Sequence, residues 1–456
     1  MQWLRWALCF ALAVPVAAAT TACRRRHRTV TVRPTGLAGR AQRLVTALAR
    51  SKWTEARATF APVMLDALNE EALATAWREM LGRAGEFQRV LGVREEPPKD
   101  GFRTMVVTTR HAKVPMDVRV VYDRDESVSG LWFAPAKLDW SPPSYVKRDA
   151  FDEVELTVGT MPPLPATLSM PRPIPGASAG APGARAVVLV HGSGPHDRDE
   201  TIGPNKPFKD LAWGLASRGV AVLRYEKRTK VAPHTLKGAF DQDDEVTFDA
   251  RAAVALLSGR AGVDPKHVVV IGHSQGGSMA PRIARGEPKI AAIAILAGDT
   301  RPFDRLLLDQ HRYLFGVSGV DDATASAKLE AIRDQLRRAR SEGDDAEELS
   351  IAGIAAPRRY YRDLLSHRGA DVAKELSIPI FVGQGARDYQ VTMEDFGGWK
   401  AALGPRPEAT TFRVYGAANH LFVRGEGAST PDEYRWPGHV ELALVEDLAR
   451  WIAELP

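Results

Sequence analysis

Only two cysteines occur in the 456 residues, Cys9 and Cys23, and both lie within the first 23 positions. The rest of the chain has no pair from which to build a disulfide, so its fold must stand on a buried apolar core. An excess of one charge is lacking as well. The formal net charge is +5, and Arg24, Arg25, Arg26 and Arg28 supply four of those charges, leaving +1 for everything else. So nearly neutral a body excludes the broad basic face that nucleic-acid binding needs. The arginine run itself suits a solvated linker or attraction to anionic lipid and the cell envelope. Apolar runs of membrane-spanning length are missing too: the stretch Trp6–Ala19 has 14 residues, short of the ~20 that carry a helix across a bilayer.

That stretch follows Arg5 and is followed by Thr20, Thr21, Ala22 and Cys23, the charged, apolar, small-residue order of a secretory signal. Export to the periplasm or the exterior is expected, with residues 1–23 as signal and 24–40 as a basic linker. Cys23 after Ala22 resembles the acceptor cysteine of a bacterial lipoprotein, which implies a lipid tether in the cell envelope. Thr20 departs from the aliphatic residue usual at that position of the motif.

Hydrophobic residues make up 45% and charged residues 26%, a globular balance for two or three domains. Residues 41–135 read as a small α+β domain. Leu73, Ala76, Trp77, Met80 and Leu81 form one apolar helix face, and strands are expected at 104–109, 116–122 and 128–133, all beyond Gly101. No cluster of catalytic groups appears there, which leaves a structural, gating or partner-binding role. Pro135, Pro142 and Pro143 mark a linker. The Pro-, Gly-, Ala- and Ser-rich run 161–182 contains one strand, 167–170, and reads as a hairpin with a loose tip.

From 145 to 456 the pattern is a repeated apolar strand, polar loop and helix. The strand runs are 187–190, 220–223, 268–271, 291–296, 378–382 and 411–415. Nearly continuous apolar strands suit a mostly parallel, doubly wound α/β sheet covered by helices on both faces. About 80 residues, 298–377, separate two of these strands, far beyond one crossover helix of 10 to 15 residues. Leu329, Ile332 and Leu336 make an apolar stripe inside that excursion, so a helical cap over about 299–377 is expected.

Ligands bind beyond the carboxyl ends of such strands, and the chemistry collects there. The strand 268–271 runs into Gly272, His273, Ser274, Gln275 and Gly276 and then a helical stretch. This is the Gly-x-Ser-x-Gly turn of the α/β-hydrolase fold in its strand–turn–helix context. Glycines at 272 and 276 remove side chains that would collide, and the amide of Gln275 at the helix start can meet an oxyanion. The strand 187–190 ends in His191, Gly192, Ser193, Gly194 and Pro195, where the backbone N–H of Ser193 is the expected second donor. His191 reads as a buried, hydrogen-bonded histidine, and His196 and Asp197 have no further ligand-type neighbours to make a metal site. Asp388 follows the strand 378–382 and His420 follows 411–415, completing the order Ser274, Asp388, His420. A serine hydroxyl needs a base to remove its proton, and a carboxylate holds the imidazole in the required tautomer. No metal or other cofactor is required.

His191–Glu200 with Gly203, Pro204, Asn205 and Lys206, the run Arg224–Arg228, the turn at Ser274, Asp388 and His420 together resemble a family of bacterial secreted α/β-hydrolases of carboxylesterase type. In that family a His-Gly-Ser-Gly-Pro loop and an Asp-Arg-Asp-Glu sequence precede the nucleophile, and a small helix-plus-sheet domain can precede the hydrolase. The resemblance covers 145–456 and, more loosely, 40–135. It implies hydrolysis of small-molecule esters with short acyl chains. The same residues would serve a thioesterase or a peptidase. Export disfavours a coenzyme A thioester, and no signature of a site for a free amino terminus or a long peptide is visible. An envelope binding protein with an inactive hydrolase fold is the alternative from another class.

Overall fold

The computed structural model describes residues 35–172 and 183–456. The expected signal, the arginine cluster, Cys23 and the part 173–182 of the Pro-rich run lie outside the described residues. No described helix is long and apolar enough to cross a membrane. The chain divides into two compact units, one ending at Asp139 and including Arg435–Pro437, the other formed by Trp140–Tyr434 and Gly438–Pro456.

The first unit places helices α1 (Gly36–Ala49), α2 (Trp53–Arg57), α3 (Pro62–Ala67) and α4 (Glu70–Ala84) before four strands. These are β1 (Phe87–Glu95), β2 (Arg103–His111), β3 (Met116–Tyr122) and β4 (Val128–Pro135), an antiparallel sheet in the order β1-β2-β3-β4. Leu73, Trp77 and Met80 of α4 and Leu44 and Leu48 of α1 bury against Met105, Val107, Val118, Val120 and Tyr122. Asn69 caps α4 by accepting from Ala72 N at 2.8 Å. Strand β1 begins well before Gly101, where the sequence led us to expect none. It is an edge strand with Arg89, Arg94 and Glu95 along it and no buried residue, so its alternation is masked by charge.

The second unit begins with an antiparallel hairpin, β5 (Phe151–Val158) and β6 (Leu164–Pro171). The strand expected inside 161–182 thus pairs with a segment before it, and the tip of that hairpin is 159–163. Glu153, Glu155 and Thr157 on β5 hide its strand character in the sequence. Six parallel strands come next: β7 (Ala184–Val190), β8 (Ala221–Tyr225), β9 (Val263–His273), β10 (Ile290–Leu296), β13 (Ile380–Gly385) and β14 (Thr410–Tyr415). The sheet order is β14-β13-β10-β9-β7-β8-β6-β5. Both faces are apolar. Val187, Leu189, Val269, Ile271, Ala292 and Ala294 face one core, with α5 (Pro207–Ala216) and α14 (Leu442–Glu454). A single turn, α6 (Arg228–Val231), leaves β8. Ala186, Val188, Val268, Val270, Ile293 and Ile295 face the other core with the helices α7 (Phe248–Ser258), α8 (Gln275–Arg285) and α13 (Met393–Leu403). The strands advance from β7 to β8, then return past β7 to β9, so the direction of winding reverses beside β7.

Between β10 and β13 the chain forms α9 (Phe303–Val317), α10 (Asp322–Arg340), a two-stranded hairpin of β11 (Glu348–Ile351) and β12 (Ile354–Pro357), α11 (Arg358–Ser366) and α12 (Gly369–Lys374). Leu307, Ile332, Leu336, Leu349, Ile351 and Tyr361 give it a core of its own. Arg301, hydrogen-bonded to the fully buried Asp395 at 2.7 Å, fixes its base. Two features depart from a purely helical excursion: the small hairpin, and α12, whose Ala373 belongs to the core of the main sheet.

Trp399 of α13 is fully buried, and its Nε1 donates to Gly298 O at 2.7 Å, just past β10. Trp399→Ala should cost about 3–5 kcal/mol through lost packing. Trp399→Phe should cost about 1–3 kcal/mol by leaving that carbonyl buried without a donor. Urea unfolding followed by circular dichroism measures both; equal midpoints for wild type and the Ala variant would refute the assignment.

Candidate active site

Strand β9 delivers Ser274 into a backbone conformation of φ 53°, ψ −120°, which a non-glycine residue adopts only under strain. The strain is imposed by close approach of three segments. A side chain on Gly272 would collide with the carbonyl oxygen of Gly276, and one on Gly276 with the carbonyl oxygen of Val190. Ser274 N donates to Leu296 O at 2.9 Å, tying the turn to β10. The serine stays partly exposed at the start of α8.

Asp388 lies just beyond β13 and His420 just beyond β14, and the structure brings them together: His420 Nδ1 donates to Asp388 Oδ2 at 2.7 Å, with both side chains buried. Asp388 Oδ1 accepts from the amides of Gln390 (2.8 Å) and Val391 (3.0 Å), which aim the carboxylate. Asn419 shapes the histidine loop by accepting from Leu421 N and Val423 N. His273, the residue before Ser274, packs its ring 4.7 Å from that of His420 and donates from Nε2 to His420 O at 2.9 Å. The His420–Asp388 pair is thereby docked beside the serine turn.

The loop after β7 carries Ser193, exposed, and Gly192, buried. Cβ on Gly192 would meet Ser274 Cβ at 3.1 Å, so this loop lies directly against the serine. Among the described residues, the amides of Ser193 and Gln275 have no hydrogen-bond partner in the chain. His191 is buried as expected, with Nε2 on Asp197 O at 3.0 Å, but its Nδ1 has no partner, so only half of its hydrogen-bonding capacity is met. Among the described residues, no group of three or more His, Cys, Asp or Glu side chains could hold a metal ion.

Beneath this loop sits a set of buried charges that sequence reasoning missed. Glu200, 1% exposed, accepts from Gly192 N at 2.8 Å. Its other oxygen lies 2.9 Å from His273 Nδ1, close enough for charge attraction but off the hydrogen-bonding direction. Burial works against charge on Glu200, yet its interaction with His273 outweighs that and holds the carboxyl at about 2. Burial likewise opposes charging His273, but Glu200, the His420 carbonyl and Asp388 raise its pKa above the ordinary value. Lys227, 3% exposed, donates to Gly192 O at 2.8 Å and Gln275 Oε1 at 3.2 Å and pairs with Glu245 Oε1 at 2.9 Å. Glu245 Oε2 accepts from Gln275 Nε2 at 3.2 Å and from Tyr360 OH of α11 at 2.6 Å. Burial disfavours charge on Glu245, but Lys227 first, then these hydrogen bonds, hold its carboxyl below the ordinary value. The sequence signal for these residues was thin: Glu200 and Lys227 fall within the runs that carried the family resemblance, whereas nothing marked Glu245 or Tyr360.

With strand–serine–helix turn, opposed loop and carboxylate-held histidine around the winding reversal of a mostly parallel sheet, comparison with known families is decisive. The chain belongs to the α/β-hydrolase family: residues 187–435 match the model described as "Alpha/beta hydrolase family". Residues 41–131 match one described as "Protein of unknown function (DUF3887)". The chain is similar to Esterase EstD of Thermotoga maritima, at 35% identity over 391 residues, 85% of this chain and 88% of the relative. Among solved structures it is similar to the esterase domain of a Rhodothermus marinus protein (17% identity, 66% of this chain and 97% of that one, TM-score 0.39). A puromycin-hydrolyzing peptidase of Mycobacterium tuberculosis shows 14% identity over 78% of this chain and 46% of that one, at a TM-score of 0.45.

Burial, aided by His196 and Lys227 against the opposing charge of Glu200, lowers the His191 pKa from 6.5 to about 3. Between those values the unfolded chain takes up a proton at this site that the folded chain refuses, so stability falls as pH drops through the window. His191→Gln should lessen the loss of melting temperature between pH 7 and pH 4 by on the order of several degrees. An unchanged pH dependence would show that His191 is not held neutral.

Proposed function

We propose that the protein is a serine esterase that cleaves carboxylic esters of short acyl chains. The observation that carries this reading is a strained, partly exposed Ser274 at one strand end together with a histidine that donates to Asp388 at 2.7 Å at the strand ends beside it. Likeness to an esterase over most of the chain supports the same substrate class.

In this mechanism Ser274 Oγ attacks the acyl carbonyl as His420 Nε2 takes its proton. The carbonyl oxygen becomes an oxyanion held by the amides of Ser193 and Gln275. Asp388 keeps the imidazole with its proton on Nδ1 and stabilises the imidazolium that forms. His420 then returns the proton to the leaving alkoxide, and an acyl-enzyme on Ser274 remains. Water, deprotonated by His420, attacks that acyl group; the bond to Ser274 Oγ breaks, His420 returns the proton to that oxygen, and a carboxylic acid leaves. The segment 303–366 between β10 and β13 acts as a cap that limits chain length.

The signal-like start of the sequence supports export, with a lipid tether on Cys23. Intact mass of protein taken from membranes of the native host should then carry a diacylglyceryl adduct at Cys23. A mature protein without it, beginning elsewhere, would remove the tether.

Ser274→Ala and His420→Ala should each lower kcat by about 10⁶, and Asp388→Asn by about 10⁴, without additivity, if the three act as one unit as in serine hydrolases of other folds. A fluorophosphonate should label the wild type but not Ser274→Ala. Steady-state kinetics over p-nitrophenyl esters of increasing chain length, with a thioester and a peptide amide alongside, test the substrate class. Full activity in Asp388→Asn would return Asp388 to a purely structural role, and greater turnover of the thioester or amide would displace the ester reading.

A further inference from the structure

The Gly192–Ser193 peptide bond presents opposite ends to two different tasks. Its N–H belongs to Ser193, beside Ser274; its carbonyl, Gly192 O, accepts from the buried ammonium of Lys227 at 2.8 Å. We propose that Lys227 is the positioning residue of the oxyanion hole, orienting and polarising this peptide so that the Ser193 amide points at the developing negative charge. The proposal rests on the esterase reading and deepens it.

Glycine at position 192 lets the loop approach closely, since a Cβ there would lie 3.1 Å from Ser274 Cβ and 3.3 Å from Glu200 Oε1. Glycine, however, leaves the following peptide plane free to rotate, and a rotated plane would offer the oxyanion a carbonyl instead of an amide. Two buried groups remove that freedom. Glu200 holds Gly192 N at 2.8 Å, and Lys227 holds Gly192 O. A cation on the carbonyl also draws electron density through the peptide and makes its N–H a stronger donor.

The ammonium is itself fixed. Its three protons are taken by Gly192 O, Gln275 Oε1 and Glu245 Oε1, so it has no freedom to move away. Gln275, whose own amide is the second donor, is held by the same lysine through its side chain. Glu245 is held in turn by Tyr360 OH from the excursion between β10 and β13. Both oxyanion donors thus hang on one buried ion pair, and a lysine buried at this cost would be hard to explain by stability alone.

The test uses the full chain with Lys227→Met, which keeps the length and removes the charge. Removing one oxyanion donor costs about 10² to 10³ in kcat, and loss of its positioning should cost about 10², with KM changed by less than about threefold. A trifluoromethyl ketone, which forms a tetrahedral oxyanion on Ser274, should bind more weakly by the same factor. The matching trifluoromethyl carbinol, which forms none, should bind as before. Fluorophosphonate labelling should still reach completion, since serine and histidine are intact. A kcat within about threefold of wild type, or equal losses for ketone and carbinol, would overturn the proposal. If Lys227→Met does not fold, Glu245→Gln decides: it leaves the lysine without its counter-charge and should weaken ketone but not carbinol binding by about tenfold. Unchanged ketone affinity there would equally overturn it. A wild type that is neither labelled nor active on esters would instead bring down the esterase reading.

Discussion

At the carboxyl end of β9 the backbones of the serine turn and of β7 approach so closely that no side chain fits at Gly272 or Gly276. Gly272 lies against the Gly276 carbonyl, Gly276 against that of Val190, and Gly192 against Ser274 itself. This crowding turns the chain sharply into α8 and fixes the backbone of Ser274 at positive φ. The loop after β7 can touch the serine turn only because β7 and β9 are neighbours at the point where the winding reverses. The rest of the site is arranged around that contact.

Strands β10, β13 and β14 extend the sheet from this point, and each contributes to the site at or just past its carboxyl end. Leu296 O holds Ser274 N, Asp388 lies beyond β13, and His420 lies beyond β14. The His273 ring joins these pieces, since it packs on His420, bonds to its carbonyl and lies against Glu200. Rigid elements therefore set the distances, and loops only carry the groups.

A second layer consists of charge. Glu200, His273, Lys227 and Glu245 are all nearly inaccessible to water, a costly arrangement unless each has partners. Among them the partners are largely supplied, and the network reaches from the loop after β7 to Tyr360 and, through Arg282 and Asp363 at 2.8 Å, from α8 to α11. The serine turn and the excursion between β10 and β13 thereby share residues.

Sequence alone was enough to determine a doubly wound sheet and the positions of Ser274, Asp388 and His420 at strand ends. Strands buried on both faces must be nearly continuous apolar runs, as 187–190 and 268–271 are, and the serine turn needs glycines at fixed spacing. Two of the edge strands escaped detection: β1 and β5 carry arginines and glutamates on faces that water solvates, whereas the edge strands β4 and β14 were expected. The small hairpin and the core-packed α12 within 299–377 escaped as well, because short elements carry too few residues for a period to emerge. Only the tertiary structure decided the buried charges. Lysine and glutamate are ordinarily solvated, so nothing in the local pattern marks Lys227 or Glu245 as internal. Tyr360 stands 115 residues from the glutamate it holds. Periodicity reports which face of an element is dry, but the pairing of charges inside the fold depends on which elements meet, and that is settled only when the chain is packed.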